Sequence, residues 1–465
     1  MAVVLTRDGA VRGERRPGGG VRFLGIPYAR PPVGELRFAA PVPPEPWGGV
    51  RDATAYGPTA QRRPFGAVTT IPEPSVPGAD VLNLNVFTPE PGPAGVGAGL
   101  PVLVWIHGGG YVAGSAASPW YDGAAFNRDG VVLVSVGYRL GVEGFLHLPD
   151  APDNRGVRDW VAALEWVRDN VAAFGGDPGR VTVAGQSAGG GAVQSLLGVP
   201  AARGLFRAVL SVSGAVLEPD APAVAAGLAA RTGAVLTAAA LRDASDAELL
   251  ALQDALAAEG DPLKCLAPYP DGSWVTRPVR EAVAAAEVPL LLGFTAHEFA
   301  APAGSEPEDG VGGWLAAFGL DGERAARFTA DHPGAGLGDV LTDWLFRAPA
   351  LARAEARAER GLPTWLYQFD WSGDAPGRAG QAYHCTDLPF AFDLLHAEGV
   401  TAALGGRPPQ ALADAVHGAW VAFVRDGDPG AGWPPYGDGR AVMRWDVPLR
   451  VESDPLRCVR EVWGD

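Results

Sequence analysis

Six short runs, PVLVWI (101–106), VVLVSV (131–136), VTVA (181–184), AVLSVS (208–213), PLLLGF (289–294) and TWLYQF (364–369), are apolar at nearly every position and rich in β-branched residues. A strand with one wet face would alternate apolar and polar side chains. Unbroken apolar runs predict strands buried on both faces, the pattern of a mostly parallel sheet covered by helices. Between the runs the period lengthens to three and four. Val157, Trp160, Val161, Leu164, Val167, Val171 and Phe174 fall on one stripe, and Gly175, Gly176 and Pro178 supply the stop of that helix. Two more helices are predicted near 350–361 and 410–429, each ending in glycine. Strand and helix signals in this succession predict an α/β fold.

Pro/Gly-rich stretches at 41–49, 72–79, 90–100 and 301–313 lack the low complexity of a linker. They are expected to be long surface loops on one domain spanning residues 1–465. Lid or cap elements are expected within 55–80, within the Ala-rich, helical region 215–287, and within 300–350.

Composition narrows the function classes. At 465 residues and 47% hydrophobic the chain has ample material for a large core. The formal charge of −16 comes without a basic stripe, which argues against nucleic acid or anionic lipid as a partner. Cys265, Cys385 and Cys458 are odd in number and widely spaced, so neither a disulfide framework nor a metal-binding pair is expected. No stretch resembles a signal peptide or approaches the roughly 20 apolar residues that cross a bilayer. The expected location is the cytoplasm, as a monomer or homodimer. The early glycine runs lack dinucleotide-binding spacing, and no cofactor or metal is expected.

The candidate chemistry lies in VTVAGQSAGGGAVQSLL, which reads as strand, tight turn and helix. Gly185 and Gly189 flank Ser187 where a strained turn brings strand and helix backbones close, lifting the hydroxyl out of the sheet. The following helix aims its N-terminal N–H groups at developing negative charge. WIHGGGY (105–111) follows the run 101–106, and its glycines bare successive backbone N–H groups, as an oxyanion hole requires. For a general base, His297, His332, His384, His396 and His417 all lie downstream of Ser187.

Several blocks in order resemble the type-B carboxylesterases, the α/β-hydrolases that include acetylcholinesterase and bacterial para-nitrobenzyl esterases. They are GIPYARPPVGELRF (25–38), VLNLNVFTPE (81–90), VWIHGGGY (104–111), YRLGVEGFL (138–146), AFGGDPGRVTVAGQSAGG (173–190) and HCTDLPFAF (384–392). The resemblance implies an α/β-hydrolase fold, a Ser187 nucleophile, and oxyanion donors at the backbone N–H groups of Gly109, Gly110 and Ala188. HCTDLPF is similar to the family's His-x-x-Glu/Asp-Leu-Pro-Phe segment, which implies His384 as the base. LLLGFTAHEFA aligns Gly293 and Glu298 with the family's glycine and acid, although Phe299 replaces the usual next glycine.

The chain also departs from the family. Gln186 stands where a glutamate usually precedes the nucleophile, so imidazolium formation is less assisted and a cationic substrate less attracted. Ala79 and Val81 stand where members with an N-terminal disulfide loop often carry Glu and Cys. The loop 56–79 lacks tryptophan and offers no ring expected to serve as the cation-binding aromatic of cholinesterases. The expectation is a bacterial-type, broad-specificity hydrolase of small carboxylic esters. An amidase or acyltransferase on the same triad, and a catalytically silent binding protein, stand as alternatives.

Overall fold

The computed structural model describes residues 1–66, 69–92, 99–299 and 311–464; the loops expected at 90–100 and 301–313 therefore lie partly or largely outside the described residues. The chain forms two compact units, one of Met1–Val209 with Val216–Ala282 and one of Leu210–Ala215 with Val283–Asp465.

The first unit carries β1 (Ala2–Leu5), β2 (Ala10–Arg15), β3 (Val21–Pro27), β4 (Val50–Asp52), β5 (Asn83–Thr88), β6 (Leu100–Ile106), β7 (Val132–Val136) and β8 (Gly176–Gln186). Their order is β1-β2-β3-β5-β7-β6-β8, with β4 joined to β2. Strand β6 pairs in parallel with both β7 and β8, whereas β1, β2, β3, β5 and β7 are joined antiparallel in that order. β9 (Ala208–Val212) begins in the first unit and ends in the second. The second unit carries β10 (Leu290–Thr295), β11 (Thr364–Phe369), β12 (Ala441–Trp445) and β13 (Arg450–Ser453). There β10, β11 and β12 run parallel and β13 pairs antiparallel with β12.

All six predicted strands are present, and β7, β9, β10 and β11 are buried at every position. The antiparallel strands carry a weaker sequence signal. β2 alternates in burial and reads AVRGER. β5 is buried throughout yet contains two asparagines, because their amides are satisfied inside. Asn85 donates to Ser135 Oγ at 3.0 Å and accepts from the Gly25 N–H at 3.0 Å; Asn83 donates to the Pro58 carbonyl at 2.8 Å.

The amphipathic stripe forms the helix Arg155–Asn170, which buries Val157, Trp160, Val161, Leu164 and Val167. A 3₁₀ turn continues it to Phe174, and Gly175 ends it at φ 88°. The other two predicted helices span Ala348–Ala358 and Gln410–Asp426. Region 215–287 contains the helices Ala221–Thr232, Ala238–Leu241, Asp246–Ala257 and Val279–Ala285. Among the described residues no helix is long and apolar enough to cross a membrane, and all three cysteines are unpaired.

Candidate active site

Strand β8 ends at Gln186, the helix Ala188–Ser195 begins one residue later, and Ser187 makes the bend with φ 58° and ψ −122°. A non-glycine residue reaches this region only when its surroundings force it there. The force is close backbone packing. A β-carbon at Gly185 would lie 2.3 Å from the Gly189 carbonyl oxygen, and one at Gly189 would lie 2.0 Å from that of Ile106.

The glycine loop emerges from β6 against this bend. A β-carbon on Gly108 would sit 3.0 Å from Ser187 Cβ and 2.9 Å from Oε1 of the buried Gln186. Gly109 and Gly110 have φ of 111° and 60°, and a side chain on Gly109 would strike the Ala113 carbonyl at 2.2 Å. The predicted donors Gly109 and Gly110 thus sit in the loop that faces Ser187. Ala188 is the first residue of the helix.

His107 holds this loop from below. Its ring stacks on Tyr138 at 4.6 Å, its Nδ1 lies 2.8 Å from the Gly108 oxygen, and the Tyr138 hydroxyl donates to its carbonyl at 2.9 Å. Burial pushes the imidazole down to about 4, with the bond to Gly108 partly opposing. The ring is neutral at physiological pH, and because a carbonyl only accepts, Nδ1 carries the proton.

The second unit brings Glu298 and His384 together. Beyond β10 the chain continues a short parallel pairing: His297 donates its N–H to the Ala382 oxygen at 2.8 Å, and His384 donates its N–H to the Glu298 oxygen at 3.1 Å. The side chains then meet, with His384 Nδ1 2.5 Å from Glu298 Oε2. Glu298 is buried, and its Oε1 accepts the Thr295 N–H at 2.8 Å. Phe299 and Phe346 flank the imidazole at 5.3 and 5.2 Å. Burial opposes charging the ring, but the neighbouring Cys385 thiol and the Glu298 carboxylate together outweigh it and hold His384 well above the usual histidine range. In the neutral ring Nδ1 carries the proton and Nε2 is the basic nitrogen.

Behind this pair lies Asp387, whose burial raises it to about 7 although the Tyr367 hydroxyl donates to it at 2.8 Å. Tyr367 occupies the space left by Gly293, where a β-carbon would lie 1.8 Å from the ring. That close approach explains the glycine in the LLLGF segment.

The remaining histidines have other surroundings. His417 is buried in its helix with Nδ1 2.8 Å from the Ala391 oxygen, His332 lies 3.2 Å from the Phe328 oxygen, and His396 is exposed. His297 accepts the Ala382 N–H at 3.2 Å. The loop 56–79 has no tryptophan, and its Phe65 ring lies beside Gly110. Its signal in the sequence is an aromatic residue within a Pro/Gly-rich loop.

Comparison with known proteins agrees with this architecture. The carboxylesterase family profile matches residues 1–310 and 322–454. The para-nitrobenzyl esterase of Bacillus subtilis (strain 168) is 36% identical over 97% of this chain and 96% of its own length. The phenmedipham hydrolase of Pseudarthrobacter oxydans is 36% identical over 88% of this chain and 86% of its own. Among solved structures, a PNB esterase superposes with a TM-score of 0.88 at 33% identity, covering 100% of this chain and 99% of the other. A Geobacillus stearothermophilus carboxylesterase superposes at 0.86 and 35% identity, covering 100% of both. The chain belongs to the carboxylesterase family, with the α/β-hydrolase fold, and is a carboxylic ester hydrolase.

Proposed function

We propose that the chain is a serine carboxylesterase acting on short-chain or aryl esters, with Ser187 as nucleophile, His384 as general base and Glu298 as the acid that orients it. The observation that carries the reading is the strained Ser187 bend facing the Gly108–Gly110 loop. The hydroxyl oxygen attacks the ester carbonyl while its proton passes to Nε2 of His384. The tetrahedral oxyanion accepts hydrogen bonds from the N–H groups of Gly109, Gly110 and Ala188. Collapse releases the alcohol, which takes the proton from His384, and water hydrolyses the acyl-enzyme through the same base.

The Glu298 bond to Nδ1 supports this assignment, since it leaves Nε2 as the proton acceptor. Gln186 supports neutral esters over cationic ones, because it adds no negative charge beside the bend. Three unpaired, well-separated cysteines are consistent with work in the cytoplasm.

The test is Ser187→Ala with para-nitrophenyl butyrate: kcat falls by on the order of 10⁴-fold while the protein stays folded. Near-normal turnover in that variant would end the proposal. A fluorophosphonate probe is expected to label the parent chain at Ser187 and to leave the variant unlabelled.

A further inference from the structure

Phe65 is the most exposed phenylalanine among the described residues, at 60%, yet it does not sit at a loose tip. Its loop is tied down on several sides. Gln61, buried, accepts the Gly114 N–H at 3.0 Å and donates to the Glu73 carbonyl at 2.8 Å. Arg62 pairs with Glu143, and its Nε lies 2.7 Å from Asp246. Arg63 reaches Asp254 at 3.0 Å, and the Phe65 N–H donates to the Glu73 carboxylate at 3.0 Å. These bonds fix a phenyl ring against the glycine loop: a β-carbon at Gly110 would lie 2.8 Å from Phe65 Cε2 and 3.5 Å from Cζ.

Holding an apolar ring in water costs free energy that burial would recover, and here the backbone beneath the ring has no side chain to cover it. A glycine at position 110 both bares an N–H and leaves room for the ring edge. We propose that Phe65 is a specificity-determining residue, a hydrophobic wall that packs against an aromatic substituent of the ester bound over the Gly109–Gly110 loop. This rests on the esterase reading above, in which that loop holds the carbonyl oxygen. Aromatic rings in offset or edge-to-face contact gain beyond simple area burial, so ring-bearing esters are the favoured class.

The experiment compares Phe65→Ala, Phe65→Leu and Phe65→Tyr with the parent on methyl acetate, benzyl acetate and methyl benzoate. The last two place the ring on the alcohol or the acyl side. Phe65→Ala is expected to lower kcat/KM about tenfold on at least one ring-bearing ester, through KM, with methyl acetate unchanged. The ester that suffers identifies the side the wall serves. Phe65→Tyr is expected to keep parental selectivity and Phe65→Leu to lie between. An equal change on all three esters, or none on any, overturns the proposal. Failure of the esterase reading looks different: the parent chain would then hydrolyse none of the esters, or would do so without dependence on Ser187.

Discussion

His384 Nδ1 lies 2.5 Å from one oxygen of Glu298, while the other oxygen of the same carboxylate is held by the backbone N–H of Thr295. The carboxylate is therefore held at both of its oxygens. Glu298→Gln preserves the shape but removes the carboxylate charge that, together with Cys385, raises the imidazole. Because a raised histidine is protonated to higher pH, the rising limb of the parent's pH–rate profile is expected above about 6.5, the value of a free imidazole. In the variant the limb moves to lower pH, and kcat falls by on the order of 10⁴-fold. A limb that stays in place would separate Glu298 from the titrating group.

Two glycines respond oppositely to the same substitution. Gly189→Ala puts a methyl group 2.0 Å from the Ile106 carbonyl, a main-chain atom that cannot swing away, and a loss of about 3 kcal/mol or more is expected. Gly227, exposed in the helix Ala221–Thr232, has nothing within 4 Å of a new β-carbon. Gly227→Ala is expected to stabilise by up to about 1 kcal/mol through helix propensity. Urea midpoints of the two variants against the parent decide both.

The pair formed by Arg139 and Asp159 is fully buried and two-pronged, at 2.9 and 2.6 Å, and Asp159 also accepts the Arg139 N–H at 3.1 Å. Arg139 further donates to the Ala39 carbonyl at 2.7 Å. Asp159→Asn strands a guanidinium in the interior and is expected to cost about 3–5 kcal/mol, read as a lower denaturant midpoint.

His107 is predicted to make stability depend on acid. Its folded pKa of about 4 lies below that of the unfolded chain, about 6.5, so the unfolded state binds the proton first as pH falls. The contribution is whole above about pH 6.5 and declines towards pH 4, by roughly 3 kcal/mol in total. Asp387 acts with opposite sign, since its raised carboxyl favours the folded state at low pH and loses that advantage as pH rises towards 7. The clean measurement is therefore a difference. Between pH 4 and 6.5, the unfolding free energy of the parent is expected to climb more steeply than that of His107→Gln.

The sequence was most readable where one physical demand acts alone. β10 and β11 are buried on both faces, so their apolar runs stand out without alternation. The bend at Ser187 needs glycines at two fixed positions, and those are visible as letters. Readability fails where tertiary partners rewrite local preference. β5 hides two asparagines by satisfying them with backbone and serine groups from elsewhere. No periodicity predicts that His297 and Tyr383 bridge, although that bridge carries Glu298 to His384. In the sequence only the resemblance to known esterases implies that partnership. Phe65 does not stand out because an exposed ring in an irregular loop is indistinguishable, by composition, from ordinary surface.

Where Gly185, Gly189 and Gly108 meet their neighbours, main chain lies directly on main chain. Side-chain mutation has no purchase at such a junction except to break it. The scaffold around the bend is consequently closed to gradual adjustment, and inherited or engineered changes in substrate choice must accumulate in the surrounding loops, where an altered residue can move without disturbing the frame.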